Sequence, residues 1–446
     1  MSGARMTVLA HGLGGSSDLP IPYTYALIGA AWALTASFVV VAFAWKRPRF
    51  DAEKPGKPLP QWVSAAVDSP VLRWGVAIVA LLFAVWVVIA AFFGPQSGEN
   101  ALPGVFYVLL WVGLVFASVL FGPVWRVISP VRTVHRMVCL VSRRDPHTAR
   151  VQYPVHWGYW PAVVGLFAFV WLELASPEPA SQRAIESWLL VYVVVTLGGA
   201  VLCGDRWLAR ADPFDVYSVV ASRLSPLRRG AGGAVGVGNP FDHLLTLPVR
   251  PGIVAVLSVL LGSTAFDSFS AMPQWRSTVD DLSDAVPASL VRTVGLLVFV
   301  AVVWGTFTLA TRATGGLTPE RRRKMPGLMA HSLIPIVVGY IFAHYLSYLV
   351  ERGQQTVIRL ADPLDRGWNL LGLGDLDVNY VLSQHPSVLA TIKVCCVLGG
   401  HIAGVVAAHD RSLRLLPKGY QLTGQLALMV TMVGYTFTGL YLLFGG

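Results

Sequence analysis

The sequence predicts an all-α integral membrane protein, a single polytopic domain over residues 1–446 with about ten transmembrane helices and short amphipathic surface helices. Three observations predict it. Of the 446 residues, 54% are hydrophobic and 13% are charged, about half the charged share of an ordinary soluble domain. Mean hydropathy is +0.60. Apolar runs of about 20 residues, the length that carries a helix across the hydrocarbon core, recur along the whole chain.

The runs fall in order at roughly Tyr23–Trp45, Val71–Phe93, Gly104–Phe121, Trp157–Leu174, Ser187–Gly204, Gly252–Ala271, Ser289–Thr311, Gly327–Val350, Val388–Ala408 and Tyr420–Phe444. The first ends at Lys46, Arg47 and Arg49, the third ahead of Arg143 and Arg144, and the seventh ahead of Arg321, Arg322, Arg323 and Lys324. The fourth and fifth are the shortest. The eighth carries Pro335 and Gly339 between two histidines, where a Pro frees a carbonyl and kinks a helix. Residues 1–22 lack an apolar core followed by a small-residue cleavage site, so the first span is expected to direct insertion.

Charge sets the orientation. Counting Arg73 at the inner edge of the second span, 26 of the 34 Lys and Arg follow spans one, three, five, seven and nine. The opposite loops and the N-terminus hold Arg5, Arg183, Arg276, Arg352, Arg359 and Arg366. The positive-inside rule then places both termini outside a plasma membrane. The net charge of +10 is this cytoplasmic bias. It implies contact with the lipid bilayer and its anionic headgroups, and no nucleic-acid partner. Cys139 and Cys203 fall on the reducing side and Cys395 and Cys396 are adjacent in the ninth span, so no disulfide framework is expected.

Between spans, a short element recurs. Ser129-Pro130, Asp212-Pro213, Asn239-Pro240 and Asp362-Pro363 each read as a capped helix start. They predict short helices at the membrane surface, with a re-entrant segment as the functional alternative. Gly230–Gly238 reads as a flexible linker.

Ionisable residues inside apolar runs are functional-site candidates, because burying one costs several kcal/mol unless it is paired. At about 1.5 Å of rise per residue, Asp267, His344 and Glu173 all come near the external boundary. His11, in His11-Gly12-Leu13-Gly14-Gly15, and Asp18 precede the first span on that side. Asp267, His344, Glu173 and His11 are the candidate catalytic group. Imidazole with carboxylate suits a divalent metal held by Asp267, His344 and His11, or a general base with its orienting carboxylate. The structural alternative pairs Asp267 with Lys393 of the ninth span.

A second group, His331 and His401, lies deeper and reads as axial ligands to haem b, a metal pair or proton-relay members. His331 and His344 are 13 residues apart, but His401 and His409 only eight, which disfavours two stacked haems. Tyr340, Phe342, Tyr345 and Tyr348 surround His344 as an apolar wall. The phosphate-loop, dinucleotide, HExxH, GxSxG and CxxCH signatures are all missing.

Five segments together carry a resemblance. They are the His11–Gly15 run with Asp18-Leu19-Pro20-Ile21-Pro22; Trp160-Pro161 through Trp171-Leu172-Glu173-Leu174; Ala265-Phe266-Asp267-Ser268-Phe269-Ser270; Ala330-His331-Ser332 through Ala343-His344-Tyr345; and Gly400-His401 through Ala408-His409-Asp410-Arg411. Over nearly its whole length the chain resembles a family of bacterial polytopic membrane proteins labelled fenitrothion hydrolase. The resemblance implies hydrolysis of organophosphorus triesters in a bacterial inner membrane, and carries no residue roles. The expectation is a membrane hydrolase acting on an apolar small molecule, alone or with a second membrane subunit. A transporter with an intramembrane ionisable path and a haem-bearing electron carrier are the alternatives.

Overall fold

The computed structural model describes residues 18–179, 181–230 and 232–445. Among them, ten helices are long and apolar enough to cross a membrane: α1 (Tyr23–Ala44), α2 (Pro70–Phe93), α3 (Leu102–Phe121), α4 (Val155–Leu174), α5 (Gln182–Cys203), α6 (Ile253–Ser270), α7 (Ala288–Arg312), α8 (Pro319–Ala361), α9 (Pro386–Leu415) and α10 (Thr423–Phe444). The fold is all-α and membrane-like, as the apolar runs predict.

Burial separates centre from periphery. The most apolar stretch of α6 is 72% buried and that of α8 is 67%, against 17% for α5 and 22% for α2. α6 packs against α4, α7 and α8, and α8 runs along α9. Glycines set the closeness of that last contact. A Cβ on Gly400 would lie 2.5 Å from the Pro335 carbonyl oxygen, and one on Gly339 the same distance from that of Cys396. Small residues let two backbones approach where lipid offers no hydrophobic drive to bring them together.

α8 is longer than its apolar run. Its charged flanks, Pro319–Lys324 and Glu351–Arg359, continue the helical path. The path narrows to a 3₁₀ turn at Ala330–Leu333 and resumes at Ile334 with Pro335 in its first turn. The interruption therefore falls just before Pro335, and His331 sits in it. A π-helical turn at Tyr348–Arg352 packs on a second one in α3, Val105–Gly113.

The capped starts behave in two ways. Ser129 Oγ accepts from the Arg132 amide, and Asp212 and Asn239 accept from the amides of Phe214 and Phe241, each opening a short helix on its Pro. Asp362 instead ends a helix, and its carboxylate collects the amides of Arg366, Gly367 and Trp368. Asp365 and Gly367 take positive φ there, which turns the chain rather than coiling it.

The helix Pro130–Val141 is amphipathic, with Val131, Thr133 and His135 buried and Val138, Leu140 and Val141 exposed. Pro213–Ala221 differs, because every one of its nine residues is buried. It lies inside the end of the bundle against α3 and α4 rather than on the surface. Its acidic residue is matched: Asp215 Oδ1 accepts from Arg132 at 3.1 Å and lies 3.4 Å from Arg126.

The Gly-rich stretch is also ordered where it is described. With β1 (Lys57–Pro58), β2 (Leu227–Arg229) and β3 (Val235–Val237) form a small antiparallel sheet with β3 in the middle, and Gly233 supplies the positive φ of the turn. Strand pairing overrides the linker expected there.

Candidate functional site

Two adjacent residues near the end of α6 meet one imidazole of α8. Asp267 Oδ2 lies 2.9 Å from His344 Nε2, and Ser268 Oγ lies 3.1 Å from His344 Nδ1. Consecutive helical positions point about 100° apart, which lets neighbours on one helix address the two nitrogens of one ring. Tyr345 donates its hydroxyl to the same Asp267 oxygen at 2.8 Å. The hydroxyls of Tyr340 and Ser268 are 3.0 Å apart. Tyr340, His344 and Tyr345 sit at one helical turn and one residue from each other, so one face of α8 supplies three members.

Proton counting orients the chain. If Asp267 is the ionised member, it accepts from both Tyr345 and His344 Nε2–H, His344 Nδ1 accepts the Ser268 hydroxyl proton, and Ser268 Oγ accepts in turn from Tyr340; the carbonyls of Thr264 and Gly439 are the competing acceptors of those two hydroxyls, at 3.3 and 3.4 Å. Every member is deeply buried, with Ser268 at 0%, His344 at 1% and Asp267 at 6% exposure. A buried polar network is stable only when each member is satisfied, and this one is.

Glu173, at the end of α4, is partly buried, and the acidic group it is electrostatically coupled to is Asp267. It makes no hydrogen bond within the described residues. Asp267, His344 and Glu173 thus converge at one end of the bundle. His11 lies outside the described residues. Lys393 is buried near the start of α9.

The described donors do not fit a metal. A ligating imidazole presents one bare nitrogen while the other is held by a partner. Here both His344 nitrogens are engaged by protein, and no three His, Cys, Asp or Glu side chains among the described residues converge as a ligand set.

Haem fares no better. His401 Nδ1–H donates to the Val397 carbonyl at 2.8 Å, and among the described residues neither its Nε2 nor His331 Nε2 meets a hydrogen-bond partner. Yet only His401 faces the cavity of about 310 Å³ between α6, α7, α9 and α10; His331 is not on its wall. Axial ligation by two imidazoles needs both in one cavity. His409 and Asp410 are structural. His409 bridges Gln425 and the Trp45 carbonyl, and Asp410 accepts from the Arg49 amide and Trp45 indole.

The 310 Å³ cavity is mostly apolar. Ala265 and Leu261 of α6 line it, as does Tyr340, whose hydroxyl touches Ser268. Ser268 is the member that sequence reasoning passed over. Its only signal was its place beside Asp267, since Ser in an apolar helix ordinarily bonds back to its own backbone, as Ser268 also does to Thr264 at 3.3 Å.

No protein-family profile, curated protein or solved structure matches the chain.

Proposed function

We propose that the chain is a membrane-embedded hydrolase of neutral, apolar organophosphorus triesters, in which Ser268 is the nucleophile, His344 its base and Asp267 the group that orients and charges that base. One observation carries this: the directed contact Ser268–His344–Asp267, with distances of 3.1 and 2.9 Å. Nucleophile, base and orienting carboxylate in hydrogen-bond series are the signature of acyl- and phosphoryl-type hydrolysis on unrelated folds. The ring is used in the reverse sense from the familiar serine hydrolases, the hydroxyl on Nδ1 and the carboxylate on Nε2. The proton logic is unchanged.

Ser268 Oγ forms a bond to phosphorus while its proton passes to His344 Nδ1, and the aryl-oxygen bond to phosphorus breaks. The imidazolium, held by the Asp267 carboxylate, gives its proton to the departing phenolate. Water, deprotonated by His344, then attacks phosphorus, the bond from phosphorus to Ser268 Oγ breaks, His344 returns the proton to Oγ, and a phosphodiester leaves. An apolar triester partitions into the bilayer and enters the cavity lined by Tyr340 and His401. Tyr340 stands between that cavity and Ser268, so the reaction requires its ring to swing aside. The resemblance to fenitrothion hydrolases supports the substrate class, and the charge asymmetry supports a bacterial inner membrane with both termini outside.

Purified chain in detergent is expected to release a phenol from fenitrothion with no ion gradient present. Ser268→Ala and His344→Ala should each lower the rate by about 10²–10⁴-fold. Gly434→Leu tests the entry route, because Gly434 lines the cavity and a Cβ there meets nothing within 4 Å. It should raise KM while leaving the fold intact. Folded chain that is silent in detergent and in host membranes sinks the reading.

One observation favours a second reading. The chain Tyr340–Ser268–His344–Asp267–Tyr345 is unbroken and buried, which also suits a proton path through a transporter. That reading predicts no turnover in detergent and His344-dependent proton flux in sealed vesicles.

A further inference from the structure

At the end of the bundle away from Asp267, a cavity of about 830 Å³ opens beside the start of α2, the end of α3 and the β2 strand. Six guanidinium groups line it: Arg73, Arg126, Arg136, Arg223, Arg228 and Arg229. A single carboxylate, Asp68, shares the wall, and it is taken by Arg73 at 2.6 Å and Arg229 at 2.7 Å.

Behind the wall, Asp215 is divided between Arg126 and Arg132, and Asp242 stands 3.6 Å from Arg228. Among the described residues Arg136 and Arg223 enter no ion pair. Arg223 Nη1 donates instead to Thr246 Oγ1 at 2.6 Å and to His243 Nε2 at 3.2 Å, while His243 Nδ1–H donates to the Ser225 carbonyl.

The cavity therefore holds more positive charge than its surroundings neutralise. The Arg228 side chain is only 7% exposed, yet among the described residues its Nε and Nη1 meet no hydrogen-bond partner, and neither does Arg223 Nε. Burial and then the neighbouring Arg126 guanidinium push Arg223 down to about 10. Burial and then Arg132 lower Arg136. Buried donors without acceptors and crowded like charges both cost stability unless an anion supplies what is missing.

We infer that this cavity is a binding site for a phosphate-bearing anion, its charge supplied by six guanidinium groups set against one carboxylate, with Arg136 and Arg223 in no ion pair among the described residues. Guanidinium forks match the geometry of phosphate oxygens and bind them in pairs. Two sources carry that chemistry. One is the headgroup of an anionic phospholipid, whose acyl chains would follow the apolar wall at Trp74 and Phe121; the other is a soluble phosphate. The inference is independent of the hydrolase reading.

The test uses the full chain in zwitterionic detergent. Native mass spectrometry counts bound phosphatidylglycerol against phosphatidylcholine, with and without pyrophosphate, and calorimetry measures pyrophosphate alone. Selective retention of phosphatidylglycerol that pyrophosphate does not displace assigns the site to a lipid headgroup. Displacement, or pyrophosphate binding by calorimetry, assigns it to a soluble phosphate. In either case Arg228→Gln and Arg223→Gln should each weaken binding about tenfold or more, as loss of one charge-assisted contact predicts. Arg321→Gln, on an exposed charged helix, should leave it unchanged.

Arg136→Gln covers the event that the two deeper variants fail to accumulate, because removing an unpaired, half-buried charge leaves nothing orphaned. It too should weaken binding. Equal retention of both lipids with no pyrophosphate binding overturns the inference. So does affinity that is unmoved in these variants, or lowered equally by Arg321→Gln.

Discussion

Replacing Asp267 with Asn changes one atom and tests the carboxylate's charge. Asp267 Oδ2 accepts from His344 Nε2 at 2.9 Å and from Tyr345 at 2.8 Å, in a side chain 8% exposed. Each bond to a carboxylate is worth about 1.5–3 kcal/mol and each neutral replacement about 0.5–1.5. The pair therefore loses roughly 2–3 kcal/mol, and removing a buried charge offsets part of that. Stability should fall only modestly, and folded protein should accumulate.

Activity should fall far more. With its oxygen in the place of Oδ2, Asn still accepts from Tyr345 and His344 but carries no charge, so the imidazolium that forms when Ser268 gives up its proton loses the carboxylate that stabilises it. The expected loss is about 10²–10⁴-fold in kcat, with KM little changed, measured as phenol release in detergent alongside a thermal-unfolding control. Full activity in a folded Asp267→Asn variant would refute the reasoning. Failure to accumulate that Lys393→Met rescues would restore the Asp267–Lys393 ion pair as the explanation.

Other predictions follow from packing and charge. Gly400→Ala forces a methyl to 2.5 Å from the Pro335 carbonyl and should destabilise the chain by about 1–3 kcal/mol, whereas Gly399→Ala, with nothing within 4 Å, should not; thermal unfolding of the two variants decides it. Burial, and then Asp215, push Asp212 up to about 6. The folded state thus binds a proton that the unfolded state has released, and wild type loses stability as pH rises from about 4 to 6. Asp212→Asn keeps the oxygen that caps the Phe214 amide, so its stability relative to wild type should rise across that window and level off above it, by up to about 3 kcal/mol; unchanged relative stability from pH 4 to 7 contradicts the buried charge. A lone Cys at position 322 of a Cys-free chain should resist membrane-impermeant reagents in intact cells, and ready labelling would invert the orientation.

How much was legible depends on how local each signal was. Span positions follow from apolar run length, which is local, so α2 and α6 begin and end within a residue or two of their runs. α8 overran its apolar run because charged residues continue a helix once it leaves the hydrocarbon. The common depth of Asp267 and His344 followed from helical rise alone, and the two do meet. Asp215 reads as a solvent-facing residue of a surface helix. Its burial depends on Arg132, 83 positions away, which no local pattern discloses. Ser268 was hidden for the opposite reason. Its helical self-bonding is what any Ser in an apolar helix does, so only the position of His344 marks it out.

The central claim is that Ser268 is a nucleophile worked by His344. A reactive aryl organophosphorus ester should add one phosphoryl group per chain at Ser268, located by peptide mass spectrometry. The adduct should be lost in Ser268→Ala, and in His344→Ala it should form about 10²–10⁴-fold more slowly. Steady phenol release with no adduct at Ser268, undiminished in Ser268→Ala, would contradict the account.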